Sequence, residues 1–223
     1  MKKKWAKILC ITLTLTTLTP VTAFAKPVYQ NESDILAMQS SEFETLIVEI
    51  QGIKEEHPEY TEDMVLNLMN ERHPEFENAR GITDIWNALT EAEKKLCIRY
   101  PFDALKVNTA KNIATSQTEA KFGTNGLGDR SDAFRHGIWN AEMTVLIGRE
   151  KAELFATAHE DKEVDGNEAD GYPKTAHRDM DLHNNEIGRE IGEKNSNASE
   201  DEMAEIIYQE IYSDGSRFIW LHE

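Results

Sequence analysis

Asp132, His136 and Asn140 follow one another at four-residue steps, with Arg135 beside them. On a helix that spacing projects a carboxylate, an imidazole and an amide from one face. Two further segments carry the same kinds of group. His159-Glu160 closes an apolar and small-residue stretch that includes Ala152, Phe155 and Ala156, and Asp181, Asn184, Asn185 and Gly188 stand at i, i+3, i+4 and i+7. A polar face at those positions, mixed with Gly, Ala, Trp139 and Met180, predicts a buried polar cluster, which costs stability unless its members are paired or used.

The cluster admits two enzymatic chemistries. In the first, His136 is a general base tuned near neutral pH and oriented by Asp181, while Arg135 stabilises a phosphate or oxyanion. His159 and Glu160 join the catalytic set, and Asn140, Asn184, Asn185 and Arg189 hold the substrate. In the second, His136, His159 and a carboxylate from Asp132, Glu160 or Asp181 bind zinc with one position open to water. Calcium is the other metal to consider, because Asp161-x-Glu163-x-Asp165-Gly166-Asn167 is similar to the start of a calcium loop. Tyr172 stands where the bidentate Glu belongs, so a solvated acidic loop accounts better for that segment. His177, at the edge of this loop, is expected to be a neutral position.

Helices must position these groups. Apolar residues recur at three- and four-residue steps over 33–56, stopped by Pro58, and over 61–72, stopped by Pro74. Thr90-Glu91-Ala92-Glu93 is a capping box for a helix to Tyr100. Pro101 separates it from a further helix over 103–120, and the Gly-rich segment 123–129 is a turn. Helices over 131–147 (capped by Ser131), 150–160, 177–194 and 199–212 follow. The only strand-like alternation is Arg217-Phe218-Ile219-Trp220-Leu221. The fold class is all-α, with seven or eight helices in all: one multi-helix globular domain over 89–223 and a helical N-terminal region over 26–88.

The chain has 223 residues with 24 basic and 41 acidic side chains, a formal charge of −17. Such a surface excludes a nucleic acid held by a basic patch. Four of the lysines fall within the first seven residues, followed by an apolar stretch from Ile8 to Leu18 and by Ala23-Phe24-Ala25. These are the three parts of a secretory signal, predicted to be cleaved before Lys26. The stretch is too short to span a membrane, so no transmembrane segment is expected after cleavage. Cys10 leaves with the signal and Cys97 remains as a lone thiol, so no internal disulfide forms. The substrate and the oligomeric state are not written in the sequence.

Leu89-Thr90-Glu91-Ala92-Glu93, Tyr100-Pro101-Phe102-Asp103-Ala104, Gly128-Asp129, Asp132-Ala133-Phe134-Arg135-His136-Gly137-Ile138-Trp139-Asn140-Ala141, Ala158-His159-Glu160 and Met180-Asp181-Leu182-His183-Asn184-Asn185 with Gly188-Arg189 occur in that order. In these motifs the chain resembles an uncharacterised bacterial domain family found in secreted, wall-associated and toxin-like proteins. The resemblance spans roughly residues 89–192. It implies that Asp132, Arg135, His136, Asn140, His159, Glu160, Asp181, Asn184 and Asn185 form a shared site. The expected function is a secreted or wall-associated hydrolase acting on a lipid, phosphodiester or wall polymer. The alternative is a non-catalytic binding module of the cell envelope.

Overall fold

The computed structural model describes residues 32–75 and 80–223, with side chains from Gln39 onward. The expected signal peptide lies outside the described residues. Nine helices and no strand are present among them: α1 (Glu32–Glu56), α2 (Glu62–Arg72), α3 (Ile82–Ala88), α4 (Glu91–Arg99), α5 (Pro101–Phe122), α6 (Arg130–Ile147), α7 (Arg149–His159), α8 (Lys174–Lys194) and α9 (Glu200–Ile211). The all-α expectation holds. No helix among the described residues is long and apolar enough to cross a membrane.

Local chemistry explains most boundaries. The Thr90 hydroxyl accepts from the Glu93 amide at 3.0 Å, while the Glu93 carboxylate accepts from the Thr90 amide at 2.8 Å, completing the capping box. Ser199 and Glu202 form a second one at α9. Pro101 occupies the first turn of α5, where its missing N–H is no loss, so α5 starts two residues before the expected 103.

Three expectations need correction. Asp129, not Ser131, caps α6: its Oδ1 accepts from the Asp132 amide at 3.1 Å and from the Ser131 hydroxyl at 2.6 Å, and Ser131 Oγ itself accepts from the Gly126 amide. The helix expected from His177 begins at Lys174 because Pro173 already has a φ of −59°. Residues 217–221 are not a strand. They carry no regular secondary structure and are tied to α8 by the Asn184 side chain, which donates to the Ile219 carbonyl at 2.8 Å and accepts from the Ile219 amide at 3.0 Å. Beyond that point the Leu221 and His222 amides both donate to the Gly128 carbonyl, and His222 Nε2 lies 2.9 Å from the Leu127 carbonyl. The segment thus braces the 123–129 turn.

The centre of the fold is α6, surrounded by α5, α7, α8 and α9. One apolar core runs from Phe43, Leu46, Ile47 and Ile50 of α1 through Phe134 and Ile138 of α6 to Met203 and Ile207 of α9. The N-terminal helices share this core. Because α6 is enclosed on all sides, its polar residues Asp132, His136, Asn140, Glu142 and Thr144 are all buried.

Glu142 illustrates the cost. Burial, helped by the charge of Glu200, pushes its carboxyl from the ordinary 4.5 up to about 7. The folded protein therefore retains a proton that the unfolded chain releases, so this group's stability contribution is lost as pH rises from about 4.5 to about 7 and stays lost above. Glu142→Gln is expected to stabilise the fold at pH 8, by on the order of 2 kcal/mol, with a matching rise in melting temperature, and to leave both nearly unchanged at pH 4.5. Melting curves of the two proteins at both pH values check this; an equal gain at both would assign the effect to packing instead.

Candidate functional site

The site lies where α6 and α8 cross at close range. Gly188 and Gly192 of α8 face the carbonyls of Gly137 and Ala141 on α6, and a Cβ at either glycine would fall inside contact distance of backbone. Only glycine permits this approach. It brings Asn185 and Asp181 of α8 onto the face of α6 that carries Asp132, His136 and Asn140.

A chain of hydrogen bonds then fixes the protonation of the imidazole. Arg189 can only donate, and its Nη1 lies 3.0 Å from Asn140 Oδ1, so the Asn140 amide nitrogen points the other way. That nitrogen donates to the His136 carbonyl at 3.1 Å and to Asn185 Oδ1 at 2.6 Å. Asn185 Oδ1 is thereby an acceptor, and His136 Nδ1, 3.1 Å away, must be the protonated nitrogen. The Nε2 lone pair is left facing two carboxylates, with Asp181 Oδ1 at 3.3 Å and Asp132 Oδ1 at 3.5 Å.

The carboxylates are themselves placed. Asp132 Oδ2 accepts from the Gly128 amide at 2.7 Å, and Oδ1 pairs with Arg135. Gly128 has a φ of +74°, and a Cβ there would run into Asp170 and His177, so glycine is required in the turn. Asp181 Oδ1 is buried and has no hydrogen-bond partner.

Burial sets the charge states. His136 is enclosed, and desolvation, with the positive charge of Arg135, holds its pKa well below the ordinary 6.5, so the ring is neutral. Burial, then the charges of Asp132 and Glu160, push Asp181 from 3.8 up to about 8. Desolvation raises Asp132 and Glu160 as well. A neutral imidazole lone pair converging with two such carboxyls is satisfied by a shared proton or by a metal cation. Asp132, His136 and Asp181 are the one set of three His, Cys, Asp or Glu side chains with metal-binding spacing among the described residues.

His159 is the main correction. It was expected as a ligand with His136, but its Nδ1 pairs with Glu93 at 2.8 Å and its Nε2 faces Lys162 at 3.1 Å, while Trp139 stands edge-on to both imidazoles. The three-ligand set therefore takes Asp181 in place of His159. Glu160 is buried, with Oε1 3.9 Å from His136 Nδ1 and 3.4 Å from the Asn185 amide nitrogen. Asn140, Asn185 and Arg189 are buried in the network that orients His136, and both polar atoms of Asn184 are engaged with Ile219, so these four face protein partners. His177 is also buried rather than peripheral: Nε2 bonds Asp170 at 3.0 Å, because residues 170–173 fold back onto α8. In the acidic loop, Asp161, Glu163 and Asp165 stay exposed and make no such cluster.

Nothing in the spacing singles out Glu93 as a partner of His159, since its capping role already explains it; one carboxylate does both. Two cavities meet at Arg135, His136 and His159. One, of about 220 Å³, is polar and includes Asp132, Glu160, His177 and Asp181. The other, of about 290 Å³, is walled mainly by apolar side chains.

The sequence matches the model of a family described as a domain of unknown function (DUF6973) over residues 94–215. The chain belongs to this family. All three clustered groups, and the network behind them, lie inside the DUF6973 span, whereas Glu93 and helices α1–α3 lie outside it. No match was found among curated proteins or among solved structures.

Proposed function

We propose that this DUF6973 protein is a secreted or wall-associated bacterial hydrolase in which His136 Nε2, Asp132 and Asp181 hold a divalent metal ion. The supporting observation is the fixed tautomer: the hydrogen-bond chain from Arg189 to Asn185 leaves Nε2 unprotonated between two carboxyl oxygens. A hydrogen-bond acceptor on the other ring nitrogen is the usual way a ligating histidine is oriented. An imidazole donor beside two carboxylates suits zinc or a similar first-row ion better than calcium, whose ligands are oxygens. When bound, such an ion polarises a substrate oxygen and lowers the pKa of water. Arg135, at the junction of the cavities, stabilises negative charge developing on the substrate. Glu160, whose carboxyl is raised by burial, lines the same polar cavity and is placed to accept a proton from water. Export rests on residues 1–25.

The test compares melting and metal content before and after chelation, with zinc added back. At a zinc concentration about a hundredfold above the dissociation constant the fold gains ~2.7 kcal/mol, and the holoprotein is expected to carry one equivalent. Unchanged melting with sub-stoichiometric metal would overturn the metal site and leave His136 with Asp181 as a metal-free base. If, in addition, no ester, phosphodiester or peptide probe is turned over, the cluster is a structural lock in an envelope-binding module.

A further inference from the structure

His177, in the first turn of α8, is 5% exposed and lines the polar cavity together with Asp132, His136 and Asp181. Its two ring nitrogens are treated differently. Nε2 lies 3.0 Å from Asp170 Oδ2, and since a carboxylate accepts, this nitrogen carries a proton. Nδ1 is buried and has no hydrogen-bond partner among the described residues. Such an atom costs stability unless something from outside the protein pairs with it.

The other two imidazoles on this cavity have no nitrogen to spare. His136 is committed to Asn185 on one side and to Asp132 and Asp181 on the other, and His159 to Glu93 and Lys162. His177 also stands outside the set with metal-binding spacing. Its ring is held from two directions. Asp170 Oδ1 accepts from the Tyr172 amide at 3.0 Å and Oδ2 faces His222 Nε2 at 3.2 Å, so the carboxylate is fixed. The Gly128 turn packs so closely that a Cβ there would fall 2.8 Å from His177 Cε1, and the amide of that same glycine aims Asp132. One turn therefore positions both a clustered carboxylate and this histidine.

We infer that His177 is a second proton-transfer residue of the site, giving the proton on Nδ1 to the leaving oxygen of the substrate, with Asp170 as its positioning residue and counter-charge. The inference rests on the hydrolase reading. There, the oxygen of water bonds to the substrate centre while its proton goes to Glu160. The bond to the leaving oxygen breaks, its electron pair stays on that oxygen, and a proton must arrive there. A protonated His177 beside the Asp170 carboxylate is a paired charge rather than a bare one, and solvent restores its proton afterwards.

The probes are p-nitrophenyl and phenyl acetate, and bis(p-nitrophenyl) and diphenyl phosphate, given to the full protein with zinc and again with chelator. Nitrophenolate departs without a proton, whereas phenolate benefits from one. His177→Gln places an amide where Nε2 was, keeping the bond to Asp170 and leaving nothing at Nδ1. It should lower kcat on a phenyl probe by ~10²-fold or more, on its nitrophenyl counterpart by less than about threefold, and leave melting unchanged. His177→Asn makes the opposite exchange and should lower the melting temperature. A purely structural histidine would tolerate Gln on every measure. If the Gln variant melts early, Asp170→Asn, which still accepts from Nε2 but lacks the counter-charge, must show the same contrast between leaving groups. Equal losses on both leaving groups would overturn the inference and spare the hydrolase. No turnover of any of the four probes by the wild type would remove the inference together with the ester and phosphodiester forms of that reading. A contrast that persists with chelator, when zinc has no effect, would remove the metal site and leave His177 in its role.

Discussion

Asp181→Asn is expected to abolish the zinc-induced rise in melting temperature and to lower hydrolysis by ~10²–10⁴, yet to leave the metal-free protein at least as stable as the wild type. Without a cation, the wild-type site crowds Asp132, Asp181 and Glu160 around a neutral imidazole, and burial with those charges lifts Asp181 to about 8. The folded state thus holds a proton that the unfolded chain gives up near 3.8, and this group's share of stability drains away as pH rises from about 4 to about 8. An amide at 181 carries no charge to lose and can donate to His136 Nε2. The gain should be on the order of 2–4 kcal/mol at pH 9 and close to zero at pH 4. Thermal melts at both pH values, with chelator and with zinc, give the four readings needed. A destabilised metal-free variant at pH 9 would show that Asp181 holds the fold together, and the functional reading of the cluster would fail.

The second large effect is expected at Gly188→Ala, with a cost of ~3 kcal/mol or more. The added methyl would press on the Gly137 carbonyl and on Asn140 Cβ at 3.0 Å, and neither can move without parting α6 from α8. Flexible neighbours could absorb such a group; backbone cannot. Parting the helices also lengthens the bond from His136 to Asn185, so zinc stabilisation should fall together with melting temperature. Gly215→Ala, where a Cβ would meet nothing within 4 Å, is the control. A cost under ~1 kcal/mol at Gly188 would mean that the crossing slides freely and does not set the site.

The elements that carry the site were legible wherever local chemistry decides structure. The Thr90-Glu93 box, the polar stripes on α6 and α8, and the stops at Pro58 and Pro74 are all written within a few residues of where they act. So was the pairing of His136 with Asp181, because both stripes were polar where packing helices are apolar. What escaped depends on distance in the chain. His159 sits one helix from His136, and nothing in spacing says that Glu93, 66 residues earlier, captures it. The seven-residue α3 is too short for a periodic pattern, although it carries the fully buried Trp86. The strand expected at 217–221 fails because its partner is one side chain, Asn184, 35 residues away.

The brace on the Gly128 turn ties the aim of the site to contacts distant in the chain. Asp132 is aimed by the Gly128 amide, and the carbonyl of that same residue is held by Leu221 and His222, some ninety residues further along. Residues up to Glu210 supply α6, α8 and all three clustered side chains, but not the segment that steadies the turn. A change at 221–222 therefore re-aims Asp132 without touching any of the three clustered groups.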